Sequence, residues 1–312
     1  MKNLMRRWLG GGHDIKARYS GKEKLGGLVD LTRPRLALMT PLGAGAAAVL
    51  AGGRFPSVLQ TLLGFVAVAI AVAGIHGLND YVDRERDKTA WPGRPIPSGR
   101  VTSKDALFLT IGCYFASAAI TWFVFNPTCF AILVLTIILG SLYSINLRKN
   151  IGYLTLPPIN GLIYLGGWAA ASPDTLFQRW LPWVLFLLAV LWQTGHIMIY
   201  SAIHPSNRVG GKILTESRAF IYKTDLREAA IIGFTFLVLT FFLSISLGVA
   251  IKLGLIYLFL VTGGGLLAIW NGWKFVKDSG SKEKGFKAFS SASDFMLVVR
   301  GAILITALIN IF

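Results

Sequence analysis

The stretch Asn79-Asp80-Tyr81-Val82-Asp83-Arg84-Glu85-Arg86-Asp87 follows directly on the apolar run Pro56–Leu78, and that junction decides how the chain is built. An uncharged run of about twenty residues has the length of a bilayer-spanning helix. Continued at about 100° per residue, the helix puts Asp83 at roughly 300° and Asp87 at roughly 340° from Asp80. The three carboxylates therefore share a stripe about 60° wide, whereas Glu85, at about 140°, points away. Like charges aligned on a helix face repel. At a membrane rim a bound divalent cation gives them a reason to be there; the alternative is an ordinary solvated helix end. Hard oxygen ligands in this arrangement suit Mg2+, which keeps several waters and takes one or two carboxylates together with substrate phosphate oxygens.

The rest of the sequence repeats the theme of that junction. Of 312 residues, 54% are apolar and 15% charged, with mean hydropathy +0.60. A soluble domain carries about a quarter charged residues. Nine apolar spans are expected: Leu36–Ala51, Pro56–Leu78, Ala106–Phe125, Thr128–Ile145, Tyr153–Ala171, Trp180–Ile203, Ala229–Gly248, Gly254–Trp270 and Phe295–Phe312. No polar linker divides them. Cys113 and Cys129 lie inside apolar segments at no ligand spacing, which argues against a disulfide framework or zinc site. The N-terminus has Arg6 and Arg7 but no long apolar run, so a cleaved signal peptide is not expected.

The net charge of +16 would suggest nucleic acid until the charges are placed. Of the 31 Lys and Arg residues, 27 fall in the N-terminal segment or in every second connection. The positive-inside rule then puts the N-terminus and these loops in the cytoplasm. The basic excess is topological, with anionic lipid headgroups as partners and no nucleic acid, and the expected location is the cell membrane.

After the carboxylates comes Lys88-Thr89-Ala90-Trp91-Pro92-Gly93-Arg94-Pro95-Ile96-Pro97-Ser98-Gly99-Arg100, a loop stiffened by three prolines. Arg94 and Arg100 offer forked, permanently charged donors suited to phosphate. The run N-D-Y-V-D-R-E-R-D followed by G-R-P-I-P-S-G-R resembles the first signature of the UbiA superfamily of intramembrane prenyltransferases. Arg33-Pro34-Arg35, Tyr143-Ser144-Ile145-Asn146-Leu147-Arg148-Lys149 and Gly166-Gly167-Trp168 are also similar to that family. The motif likeness runs from Arg33 to about Ala230.

The resemblance implies an all-α polytopic bundle of nine helices around a central cavity. Residues 1–32 would be a basic cytoplasmic segment and residues 33–312 the transmembrane domain. It implies Mg2+-dependent transfer of a polyprenyl chain from an isoprenoid diphosphate to a hydrophobic acceptor: an aromatic quinone precursor, a tetrapyrrole or a lipid alcohol. Asp80 and Asp83 would be catalytic, holding Mg2+ with Asp87. Asn79, Arg94, Arg148, Lys149 and Lys212 would bind diphosphate. Tyr143, His196, His204 and Asn207 would line the cavity or meet the acceptor, and Tyr143 and Trp168 could shield an allylic cation.

The sequence departs from the family where a second Asp-rich motif usually follows the sixth span. Here the chain reads Trp192-Gln193-Thr194-Gly195-His196 and then His204-Pro205-Ser206-Asn207-Arg208-Val209-Gly210-Gly211-Lys212, with no aspartate until Asp225. Asp225 and Glu228 either coordinate metal or complement a helix N-terminus. W-Q-x-x-H resembles the haem O synthase branch, while R-P-I-P-S-G-R is closer to the chlorophyll and archaeal ether-lipid branches. The acceptor is left open. So are divergent chemistry (phosphoribosyl transfer or terpene cyclisation) and a degenerate protein that binds prenyl diphosphate without turnover. A CDP-alcohol phosphatidyltransferase would need glycine after Asp83, where Arg84 stands. A transporter would carry its polar groups near the midplane.

Overall fold

In the computed structural model, helices break where proline, glycine or a capping side chain interrupts an apolar run. Residues 21–52, 56–203, 208–209, 212–213 and 225–311 are described. Among them the helices are α1 (Gly21–Leu31), α2 (Pro34–Gly52), α3 (Val58–Ala90), α4 (Ser103–Val124), α5 (Pro127–Leu142), α6 (Leu156–Ala171), α7 (Leu181–Ile203), α8 (Leu226–Ala250), α9 (Gly254–Lys277) and α10 (Lys282–Ile311). A π-turn over Tyr143–Leu147 and a short helix, Arg148–Asn150, follow α5. Arg208–Val209 pairs with Lys212–Ile213 as a two-residue antiparallel ladder.

The nine expected spans correspond one for one to α2–α10, and two of them are misjudged in length. Helix α3 continues twelve residues past Leu78, and α10 begins at Lys282 rather than Phe295. Hydropathy falls where charge begins, but the helical hydrogen-bond ladder does not. At about 1.5 Å per residue α3 is close to 50 Å long, well beyond a hydrocarbon core of about 30 Å. Its last turns must emerge, and they carry residues 79–87. Among the described residues, eight helical stretches are long and apolar enough to cross a membrane. The expected fifth span, α6, has only 16 residues because Pro157-Pro158 hold its start. The chain is an integral, multi-pass membrane protein.

The chain forms two compact units, residues 1–41 with 57–145 and residues 42–56 with 146–312. In the first, α3 and α4 approach closely at small residues, as membrane helices do. A Cβ on Gly74 would lie 2.7 Å from the Tyr114 ring, and one on Gly77 2.8 Å from Thr110 Oγ1. Helix α4 opens on a capping box between Thr102 and Asp105, and Asn126 caps α5. Leu31, Val101 and Ala106, with Leu28, Ile96 and Leu109, pack α1 against the loop after α3.

In the second unit α7 packs against α6, α8 and α10. Helices α7 and α8 meet at Gly195 and Gly233, where a Cβ on Gly195 would stand 2.9 Å from the Gly233 carbonyl oxygen. Trp192 Nε1 donates to the Ala292 carbonyl of α10 at 2.8 Å. Arg300 of α10, buried, donates through Nε to Tyr164 Oη of α6 at 2.8 Å. Cys113 and Cys129 are free thiols.

Candidate active site

The emergent end of α3 carries three carboxylates that are almost wholly buried: Asp80 is 1% exposed, Asp83 3% and Asp87 0%. Glu85 is exposed and pairs with Lys88 at 2.6 Å. Buried carboxylates are costly unless paired, and guanidinium groups of the same unit pair them. Arg33 Nη2 lies 2.6 Å from Asp80 Oδ1. Arg94 Nη1 reaches both Asp80 Oδ1 at 3.3 Å and Asp87 Oδ2 at 2.5 Å. Arg86 Nη2 lies 3.0 Å from Asp83 Oδ2.

Arg94 arrives there because the loop folds on its own backbone. Trp91 N–H donates to Asp87 O at 2.8 Å, Arg94 N–H to Trp91 O at 3.0 Å, and Val101 N–H to Pro95 O at 3.1 Å. Gly99, at φ +75°, makes the left-handed turn that brings the chain back. Arg100, expected to offer its fork to phosphate, instead donates to Asp30 Oδ2 at 2.6 Å and to Gly93 O at 3.2 Å. It fastens the loop to α1.

The pairing leaves Asp80 Oδ2 and Asp87 Oδ1 buried with no hydrogen-bond partner among the described residues. Two orphaned carboxylate oxygens on one helix face are the donor type that Mg2+ takes, so the residues fit that ion in kind. They are not gathered as a ready ligand set. Among the described residues no three His, Cys, Asp or Glu side chains are placed to hold a metal. Each carboxylate is drawn toward a guanidinium rather than toward a common point.

The other expected residues are scattered more widely. Asn79 is half-buried beside Asp80, and Tyr143, buried, opens the π-turn of the first unit. Arg148, buried, and Lys149 belong to the second unit. His196 is stacked between Trp192, at 4.9 Å, and Phe289, at 4.1 Å, with Nδ1 3.4 Å from Ser293 Oγ. That is a packed aromatic environment. Trp168 is wholly buried and donates Nε1–H to Thr175 Oγ1, so it anchors α6 rather than presenting a face to a cation. His204 and Asn207 lie outside the described residues, and Lys212 sits in the short ladder.

Asp225 and Glu228 form a capping box at the start of α8. Glu228 N–H donates to Asp225 Oδ1 at 2.7 Å and Asp225 N–H to Glu228 Oε2 at 2.9 Å. Replacing an aspartate cap by alanine costs about 1 kcal/mol. Asp225→Ala should therefore lower the melting temperature in detergent by a few degrees; an unchanged melting temperature would show that the cap contributes nothing to α8.

Arg33 is the residue whose role the sequence conceals. Its neighbourhood in the chain marks it as the family-like entry to a span and gives no sign of its partner, yet it closes on Asp80, 47 positions away.

A profile of the UbiA prenyltransferase family matches residues 38–297. The chain belongs to that family. The match extends over α8, α9 and half of α10, well past Ala230, where no polar motif marks it. A digeranylgeranylglyceryl phosphate synthase of Methanopyrus kandleri is 36% identical over 52% of this chain and 58% of its own length. A protoheme IX farnesyltransferase of Microcystis aeruginosa is 31% identical over 53% of both chains. The chain thus spans about half the length of the curated relatives it matches. A UbiA homolog from Archaeoglobus fulgidus, solved bound to GPP and Mg2+, has the same fold: TM-score 0.57, 14% identity, covering 89% of this chain and 99% of its own.

Proposed function

We propose that this UbiA-family chain transfers a polyprenyl group from an isoprenoid diphosphate to a hydrophobic acceptor in the membrane, with Mg2+. The observation that carries the reading is the buried stripe of Asp80, Asp83 and Asp87, with two orphaned oxygens and three guanidiniums beside it. Support comes from the relatives, a digeranylgeranylglyceryl phosphate synthase and a protoheme IX farnesyltransferase, and from the neighbour bound to GPP and Mg2+. Their lipid and haem acceptors differ, which parallels the mixed branch signals in the motifs.

Asp80, Asp83 and Asp87 would hold the cation. When bound, Mg2+ screens the charge that gathers on the departing diphosphate. Arg94 adds charge-assisted hydrogen bonds to the same group, and Asn79 an amide. Arg148, Lys149 and Lys212 are further phosphate donors by charge. The apolar tail partitions among the spans, while the charged head stays at the rim, because a charge at the bilayer centre costs about 2.5–3.5 kcal/mol on insertion scales. Tyr143 and His196 are the cavity residues proposed for the acceptor side, together with His204 and Asn207.

The proposed orientation places the N-terminus and the basic connections in the cytoplasm. At the corresponding end of α9, Lys274 lies 4.7 Å over the Trp270 ring and Lys277 3.8 Å over Trp273, with the two indoles stacked. Aromatic and basic side chains so combined suit the headgroup layer, and anionic lipids are the proposed partners there.

Membranes containing the protein, given radiolabelled prenyl diphosphates with lipid-alcohol, quinone-precursor and haem acceptors, should form one prenylated product in Mg2+ and none in EDTA. Diphosphate binding with no product for any acceptor would favour the non-catalytic reading, and a cyclised or phosphoribosyl product the divergent ones.

A further inference from the structure

Arg33 occupies a backbone position where glycine is the default residue. It ends α1 and begins α2: its N–H donates to Asp30 O at 3.1 Å, and its carbonyl accepts from Leu36 and Ala37 N–H at 2.9 and 3.1 Å. At this corner its φ is +47°, a left-handed conformation that costs a side-chain-bearing residue about 1–2 kcal/mol. An unfavourable backbone is kept when something else gains by it. What gains is the contact: the strained corner delivers Nη2 to 2.6 Å from Asp80 Oδ1. The corner is braced, since Asp30, three residues earlier, holds Arg100 at 2.6 Å.

The charge count of the buried set is informative. Arg33 and Arg94 carry two positive charges and Asp80 and Asp87 two negative, so these four side chains are neutral together. Asp83 lies outside this set of four and pairs with Arg86 at 3.0 Å. A lone divalent cation entering would leave two uncompensated positive charges in a buried place, which is strongly unfavourable. A divalent cation entering with a diphosphate of about three negative charges nearly cancels. The geometry agrees. Asp80 Oδ1 is taken by two guanidiniums, and among the described residues no three ligands converge. The cation must win Asp80 from Arg33, and Arg33 then needs another anion.

We propose that Arg33 is a resident counter-ion of the carboxylate site: it withholds Asp80 from a lone divalent cation and passes to the diphosphate when one arrives, so that cation and diphosphate bind as a coupled pair. The inference rests on the diphosphate reading above.

Mn2+ binding to the purified full chain in detergent, followed by electron paramagnetic resonance, tests it with inorganic pyrophosphate as the probe and the Mn2+–pyrophosphate complex in solution subtracted. In the wild-type protein pyrophosphate should tighten Mn2+ at least tenfold, and Mn2+ should tighten pyrophosphate by the same factor, as linkage requires. Arg33→Gly keeps the left-handed corner at lower strain, so the variant should fold. It should bind Mn2+ alone about tenfold more tightly than wild type, with the coupling reduced below threefold. A structural role alone would not raise metal affinity. Wild-type Mn2+ affinity that ignores pyrophosphate overturns the proposal whatever the variant does, and so does an Arg33→Gly protein that binds Mn2+ no better. If Mn2+ fails to bind wild type with or without pyrophosphate, the diphosphate reading itself falls.

Discussion

Asp80→Asn is expected to lower Mg2+-dependent prenyl transfer on the order of a thousandfold, the scale of losing one preorganised electrostatic contact to a charge-developing step. Asparagine keeps the size of the side chain and removes the charge that both Arg33 and Arg94 address. Breaking a buried ion pair by removing one partner is also destabilising, by about 3–5 kcal/mol. A drop in activity alone would therefore be ambiguous. Asp83→Asn helps to separate the two effects, because Arg86, 3.0 Å from Asp83 Oδ2, is 30% exposed and can turn to water. That variant should lose about a hundredfold in turnover or more, while its melting temperature in detergent stays within a few degrees of wild type. Full turnover in both variants, measured by product formation at saturating diphosphate, would remove the carboxylate stripe from the chemistry.

The stripe itself was legible in the sequence for a simple reason. Helical periodicity fixes which of Asp80, Asp83, Glu85 and Asp87 share a face, and the observed burial of three against the exposure of the fourth follows from that spacing. Helix number was legible too, and among the described residues eight helical stretches have the apolar length a bilayer requires, the expected fifth span, α6, falling short at 16 residues. Span ends were not: α3 and α10 run on as helices through residues that no hydropathy window admits. Asp225 and Glu228 were ambiguous because D-x-x-E reads equally as a ligand spacing and as a capping box, and only the hydrogen-bond geometry decides. The Asp30 partner of Arg100 was hidden for a related reason. A guanidinium near a phosphate loop suggests phosphate, but Asp30, 70 positions earlier, claims it. Contacts that depend on how distant helices cross leave no local pattern, and Arg33 with Asp80 is the same case.

Gly166-Gly167-Trp168 resembles a family motif, and packing within the second unit supplies its physical reason. A Cβ on Gly167 would lie 2.1 Å from the Ala44 carbonyl oxygen and 2.6 Å from the Ala44 Cα and carbonyl carbon. These are backbone atoms of α2, so no side-chain rotation can relieve the contact. Helix α6 cannot turn away either. Trp168 is wholly buried and bonded to Thr175, and Tyr164, one turn earlier, is held by Arg300. Overpacking a rigid core costs about 1–3 kcal/mol and occasionally more. With backbone on the far side, Gly167→Ala should fall at or above the top of that range, about 3 kcal/mol. The expected result is a large loss of monodisperse protein in detergent and a clearly lowered melting temperature in what remains. Gly263→Ala on α9 is the matched control, since a Cβ there meets nothing within 4 Å, and it should behave as wild type. If Gly167→Ala and Gly263→Ala melt together, α2 and α6 are not in backbone contact at Ala44, and the motif's second glycine must be explained by something other than packing.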